Sequence, residues 1–287
     1  LAGCEAAWQL AQAGYAVFLY EMKPEQYTPA HHYTGLAELV CSNSLKADRL
    51  ASAAGLLKAE MERLGCVLMP CARATAVAAG GALAVDRHRF SDLVTEHIQN
   101  HPNITIIQER VTALPKRCAV IATGPLTDGA LAEDLERQCG KRLSFFDAAA
   151  PIVSYESLDP EKIFFAARYD RGDADYINCP MDQETYTAFY QALIAAERAP
   201  LHDCDKEFFR VYEGCMPIEV LASRGEDTMR FGPLKPVGLR DPKTGHRPYA
   251  VVQLRRENQS GSLYNLVGFQ TNLKFGEQKR VFRMIPG

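Results

Sequence analysis

The chain has 287 residues, a formal net charge of −3, 47% hydrophobic and 23% charged residues, the make-up of a globular protein with chain enough for about two domains. That balance does not advertise a nucleic-acid partner, and no run approaches the roughly 18 uninterrupted apolar residues that span a bilayer. The nine cysteines include no C-x-x-C pair, which argues against a zinc ribbon or a thioredoxin-type motif. Their odd count suits a reducing cytoplasm better than a disulfide framework.

Leu1-Ala2-Gly3 opens a helical run over Cys4 to Ala13, with Ala6, Ala7, Leu10 and Ala11 at helical spacing. Gly14 ends it, Tyr15 to Tyr20 reads as a strand, and Glu21 stands at the strand's end. This order matches the back half of a dinucleotide-binding βαβ unit. Gly3 takes the place of the last glycine of G-x-G-x-x-G, and the helix start at Leu1, Ala2 and Gly3 faces a pyrophosphate. Glu21 follows Gly3 by 18 residues, in the position of an acid that accepts ribose hydroxyls. An ordinary helix–strand pair has the same outline. On the nucleotide reading the chain is a fragment that opens inside its own cofactor motif.

Residues 22–45 carry no periodicity, and Pro24, Pro29, Gly35 and Cys41-Ser42-Asn43-Ser44 mark a long loop. A helix is predicted from about Lys46 to Leu64, with Leu50, Leu57, Met61 and Leu64 as its apolar stripe. Gly80-Gly81 break the chain, and Asp86 or Ser91 starts a helix that runs to Asn100, before Pro102. Asn103 to Arg110 reads as a strand, and Cys118 to Ala122 as a short buried strand entering Thr123-Gly124. Helices and strands thus alternate to about residue 140, as over a parallel sheet. Beyond residue 143 come short β-rich runs near 151–155, 163–167, 249–254 and 263–269. One helix near 183–197 carries Tyr186, Phe189, Leu193 and Ile194 on one face. This is the texture of an α+β domain.

Two cysteines sit in suggestive places. Cys41 immediately precedes the predicted helix, whose dipole lowers a thiol pKa. Cys215 lies in a turn between Gly214 and Pro217, with Glu213 and Glu219 close by for proton transfer. Each, taken alone, also fits a buried structural cysteine. His31 and His32 are adjacent, would point to opposite sides of a strand, and define no metal site. Between Phe231 and Arg256 six basic residues stand against one acid, a face that either binds phosphates or is simply solvated.

Eight ordered segments carry a resemblance along the whole chain. They include Thr28-Pro29-Ala30-His31-His32, Ala37-Glu38-Leu39-Val40-Cys41-Ser42-Asn43-Ser44-Leu45 and Ala79-Gly80-Gly81-Ala82-Leu83-Ala84-Val85-Asp86-Arg87. Further on stand Ile121-Ala122-Thr123-Gly124-Pro125-Leu126, Asp147-Ala148-Ala149-Ala150-Pro151-Ile152-Val153 and Glu213-Gly214-Cys215-Met216-Pro217-Ile218-Glu219. The last two are Phe231-Gly232-Pro233-Leu234-Lys235-Pro236-Val237-Gly238-Leu239 and Gly268-Phe269-Gln270-Thr271. With these segments the chain resembles the folate- and FAD-dependent tRNA (uracil-5-)-methyltransferases of bacteria.

The resemblance implies an α/β fold: a Rossmann-like FAD-binding domain, without its first strand and C-terminal closing part, and an α+β insertion domain. The implied boundaries are 1–145 for the FAD domain, 146–265 for the insertion and 266–287 for a return towards the FAD domain. It implies methylation at C5 of the T-loop uridine of tRNA, with methylenetetrahydrofolate as carbon donor, reduced FAD as hydride donor and NADH or NADPH as the source of electrons. By motif, Cys215 is the nucleophile and Cys41 the acid–base partner, two thiols that must lie within roughly 10 Å to serve one ring. FAD falls to Leu1, Ala2, Gly3, Glu21, Thr123 and Gly124, and tRNA phosphates to Lys235, Arg255 and Arg256. No metal, membrane or protein partner is implied. Other readings are an FAD enzyme that aminomethylates the tRNA wobble uridine, a flavin-dependent thiol oxidoreductase, and a non-catalytic RNA-binding fragment.

Overall fold

The computed structural model describes residues 1–124, 126–140, 150–170, 173–199 and 216–287. The chain forms two compact units, Leu1–Ala76 with Val85–Asp147, and Val77–Ala84 with Ala148–Gly287. The fold is α/β.

The first unit contains α1 (Ala2–Gln12), β1 (Val17–Glu21), β2 (Ser44–Ala47), α2 (Ala53–Arg63) and α3 (Leu68–Ala74). The short strands β3 (Ala76–Val77) and β4 (Ala82–Val85) bracket the excursion into the second unit, after which come α4 (Arg87–Gln99), β5 (Ile104–Gln108) and α5 (Gly129–Cys139). Small side chains make α1 a packing helix, burying Cys4, Ala7 and Ala11. Gly14 takes a left-handed φ of 87° and turns the chain into β1. β1 and β5 pair in parallel, from Val17 against Ile104 to Glu21 against Gln108. The crossover runs through α4, where Asp86 accepts a hydrogen bond from the Arg89 amide as N-cap and Phe90, Val94 and Ile98 are buried.

Two expectations are corrected here. The helix predicted over 46–64 is instead β2 followed by α2, which starts at Ala53 because Ser52 caps it through the Gly55 amide. Its leucine stripe faces outward, with Leu50, Leu57 and Leu64 exposed. The buried side is set by Gly55, where a Cβ would fall 2.0 Å from the Arg49 carbonyl oxygen. Lys58 lies on that side and donates to the Ala47 and Ala54 carbonyls. The helical period was legible, but backbone contact at a glycine chose the face. The second correction concerns Cys118 to Ala122. No described strand pairs with it, and Val120 is 63% exposed. Without a ladder partner its backbone groups have no reason to adopt strand geometry.

The second unit is built on a five-stranded sheet. Its elements are β6 (Ile152–Ser154), β7 (Phe164–Phe165), β8 (Ile177–Met181), α6 (Gln183–Ile194), α7 (Ile218–Ala222), α8 (Thr228–Phe231), β9 (Ala250–Arg256), β10 (Leu263–Leu266) and α9 (Phe275–Phe282). The strand order is β6-β10-β9-β8-β7, all neighbours antiparallel. Alternation divides the two faces. Ile177, Cys179, Met181, Val252 and Leu254 pack with Tyr186, Phe189 and Leu193 of α6, while Val251 turns the other way to join Phe164 and Leu239. Residues 266–287, which the sequence reading sends back towards the first domain, belong to this unit, and Leu273 and Val281 are buried in its core.

Candidate functional site

The N-terminal turn of α1 and the C-terminal end of β1 meet in the first unit. A Cβ on Gly3 would lie 3.4 Å from the Ala122 side chain and 4.0 Å from that of Leu19. The helix start, the strand and the segment leading to Thr123-Gly124 therefore come together where a Rossmann-type site needs them. The first amides of α1 have no partner within the helix, so they are open to an anion. Leu1 occupies the N-cap position without a side-chain cap, and Gly124 takes a φ of 81°. Thr123 and Gly124 are exposed, with Thr127 donating to the Gly124 carbonyl at 2.7 Å.

Glu21 lies close enough to the start of α1 for its charge to act on the Cys4 thiol. Its Oε1 accepts from the Lys23 amide at 3.0 Å, and its other oxygen makes no hydrogen bond among the described residues. That open oxygen, next to free helix amides, fits a ribose hydroxyl and so fits a dinucleotide such as FAD.

The loop that follows is not slack. The Lys23 ammonium is buried and donates to the carbonyls of Tyr33 at 3.0 Å and Gly35 at 2.5 Å, and to Glu38 Oε2 at 3.3 Å. Glu38 Oε1 accepts in turn from the His32 and Tyr33 amides. Tyr33 stacks on His88 of α4, with ring centroids 4.4 Å apart, and donates its hydroxyl to Asp92. That bond to Asp92 is the main reason the phenol pKa is pushed up to about 12. The Ser91 hydroxyl donates to the Leu36 carbonyl. Leu36-Ala37 lies over α1, where the Ala37 backbone hydrogen-bonds the Cys4 thiol. His31 sits within reach of the charges on Glu38, Lys23 and Glu21. Burial lowers its pKa, with Glu38 opposing, and its Nδ1 meets the Thr28 hydroxyl at 2.6 Å.

Cys41 ends this anchored loop. Arg87 Nη1 donates to the Leu39 and Val40 carbonyls at 2.9 and 3.3 Å. Asn43 is fully buried and donates to the Val85 carbonyl. Cys41 is thus held between two fixed residues and is half-buried. The expected helix dipole is absent, because Cys41 is followed by strand β2. The positive charge beside its backbone comes from Arg87.

The other described cysteines divide by burial. Desolvation raises the thiol pKa of Cys4 and Cys66, to about 11 for Cys71 and about 12 for Cys179, which makes them poor nucleophiles. Cys118 and Cys139 are exposed. Cys215 lies outside the described residues. The residues just after it are firmly tied: the Ile218 amide donates to the Gln270 carbonyl, and the buried Glu219 carboxylate accepts from the Thr271 hydroxyl at 2.9 Å and the Asn272 amide at 2.8 Å. Of the residues expected to contact RNA, Lys235 is exposed and Arg256 is half-buried. Arg255 is buried and hydrogen-bonds the Tyr176 hydroxyl within its own unit, a poor position for a phosphate contact.

Sequence reasoning gave no role to Lys23, Glu38, Arg87 or Asn43, and set His31 aside as half of a poor chelating pair. The available signal was position: His31, Glu38 with Asn43, and Arg87 lie in three of the quoted segments, while Lys23 lies in none.

A family model described as glucose inhibited division protein A matches residues 1–287. A methylenetetrahydrofolate–tRNA-(uracil-5-)-methyltransferase TrmFO from Shouchella clausii is 60% identical over 288 residues, which covers all of this chain and 66% of the relative. The protein of the same name from Bacillus pumilus is 57% identical with the same coverage. Among solved structures, Aquifex aeolicus GidA superimposes over the full chain with a TM-score of 0.65 at 13% identity in one crystal form, and 0.62 at 12% in another. The chain covers 53% and 51% of those structures. At that identity the likeness speaks for the fold.

Proposed function

The chain belongs to the glucose inhibited division protein A family, and from that premise we propose that the full-length protein methylates C5 of a tRNA uridine with methylenetetrahydrofolate and FAD. The chain spans 66% of the length of its curated relatives. The observation that carries the reading is the meeting of the Gly3 helix start, Glu21 and the segment at Ala122, in a chain 60% identical to a protein named for that reaction.

In this reading the first unit holds FAD through the amides of Leu1, Ala2 and Gly3, the Glu21 carboxylate, and the backbone of Thr123-Gly124. Bound and reduced FAD supplies the hydride, and NADH or NADPH the electrons. C5 of uracil is a weak nucleophile. The Cys215 thiolate adds to C6 and makes C5 an enolate carbon that attacks the methylene carbon of the folate; loss of the C5 proton expels tetrahydrofolate, and once a hydride has completed the methyl group the thiolate leaves C6. Cys41 moves the C5 proton, held in place by the Arg87 and Asn43 contacts. The T-loop uridine is the substrate base, unstacked to reach the site, and Lys235 and Arg256 contact tRNA phosphates.

The cofactor half of this reading is tested in the full-length protein with Glu21→Ala. Losing a charge-assisted hydrogen bond to the ribose weakens FAD by about tenfold or more, read as flavin absorbance per protein and by titration of the apoprotein. Unchanged FAD affinity would remove Glu21 from the site.

A further inference from the structure

A cavity of about 470 Å³ opens in the second unit, lined by Tyr169, Gly238, Leu239, Arg240, His246 and Arg247 among others, with no carboxylate among the described residues of its wall. Its walls are fixed. The Arg168 guanidinium donates to Gln253 Oε1 at 2.8 Å and to the Lys235 and Val237 carbonyls at 2.6 and 2.9 Å, and Gln253 donates onward to the buried Asn178. The Tyr169 amide donates to the Gly238 carbonyl at 2.8 Å. Gly238 has a φ of 79°, and a Cβ there would fall 2.9 Å from the Tyr169 ring, so glycine is required for the ring to sit where it does. Tyr169 is 54% exposed.

The opposite wall is a closed turn. The Gly245 amide donates to the Asp241 carbonyl, the Asp241 amide to the His246 carbonyl, and Arg240 Nη1 to the Gly245 carbonyl. Among the described residues the Arg247 guanidinium has neither a hydrogen bond nor an ion pair. The cavity therefore presents two guanidinium groups, an imidazole and a half-exposed phenol ring. Guanidinium forks select phosphate, and an exposed aromatic face selects a planar ring. A volume of this size suits one small ligand carrying both features.

We propose that this cavity holds one unstacked nucleotide of the tRNA, with its phosphate on Arg240 and Arg247 and its base against Tyr169. The proposal rests on reading the full-length protein as a tRNA enzyme, and it adds a gripping site that Lys235 and Arg256 do not describe.

The test uses the full-length flavoprotein and a tRNA transcript. Arg240→Gln with Arg247→Gln removes one phosphate contact, so the slope of log affinity against log salt falls by about one. Tyr169→Ala weakens tRNA binding on the order of tenfold, whereas Tyr169→Phe, which keeps the stacking face, stays near wild type. Unchanged affinity and slope in variants of an enzyme whose wild type binds and methylates tRNA would overturn this proposal alone. Variants that raise KM for methylenetetrahydrofolate or for the nicotinamide cofactor, with tRNA affinity intact, would overturn it as well by assigning the cavity to another anion. A wild type that binds no tRNA would sink the functional reading and this proposal with it.

Discussion

Cys215→Ala in the full-length protein is expected to abolish methyl transfer and the covalent RNA adduct while leaving FAD reduction by a nicotinamide donor intact. In the proposed mechanism addition of the Cys215 thiolate to C6 is the step that makes C5 nucleophilic, and the variant lacks that thiol. Removal of a covalent nucleophile takes away most of the rate enhancement, typically several orders of magnitude. Flavin reduction, in the same proposal, draws on the dinucleotide site of the first unit and a nicotinamide donor and not on Cys215. Cys41→Ala is the informative partner, since loss of the proton-handling group slows turnover by about 10²–10⁴-fold yet permits the adduct to accumulate. Adduct formation by Cys215→Ala and its absence in Cys41→Ala would exchange the two roles. Robust methylation by Cys215→Ala would end the two-thiol mechanism.

The second large effect is on stability. Lys23 is 6% and Glu38 11% exposed in side chain, and their ion pair ties the loop from Glu21 to Cys41 to itself. Lys23→Met leaves Glu38 Oε2 and two carbonyls without their Lys23 donor. Breaking one side of a buried pair costs about 3–5 kcal/mol, read as a fall in the denaturation midpoint with an unchanged m-value. Glu38→Gln keeps an acceptor for the His32 and Tyr33 amides and loses less, about 1–2 kcal/mol. A Lys23→Met protein within 1 kcal/mol of wild type by this measure would show that the loop is not organised around the ammonium.

What could be read from the sequence follows from the range of the forces involved. Helices α4 and α6 are legible because their signals are local: Asp86 and Asp182 accept from amides three residues on, and apolar spacing marks the buried face. Strands β6, β7, β9 and β10 of the second unit are legible for the same reason, through β-rich runs between turns, whereas β8, which carries Asn178 and Pro180 within Ile177–Met181, has no such signature. Helix α2 was misread because its buried side depends on Gly55 lying against the Arg49 backbone, a contact with no periodic signature. The strand at Cys118 was overread because a β-rich composition needs a neighbour that composition does not reveal. The candidate site divides in the same way. Gly3 and Glu21 stand out in the sequence through the spacing of a nucleotide-binding motif, and the structure sets Gly3 against Ala122. The Lys23–Glu38 clamp closes within a loop that has no period, and Arg87 reaches Val40 from 47 residues away. Tyr169 meets Gly238 across 69 residues in the same manner.

The source of the new carbon decides the proposed reaction. The full-length protein, loaded with FAD and supplied with NADH or NADPH, is incubated with a tRNA transcript and methylenetetrahydrofolate labelled in its methylene carbon, and the nucleosides are then separated. Label is expected in 5-methyluridine from the T-loop, dependent on the flavin and lost when that uridine is replaced by cytidine. Label in a wobble-position nucleoside, or a 5-methyl group formed without label, would contradict it.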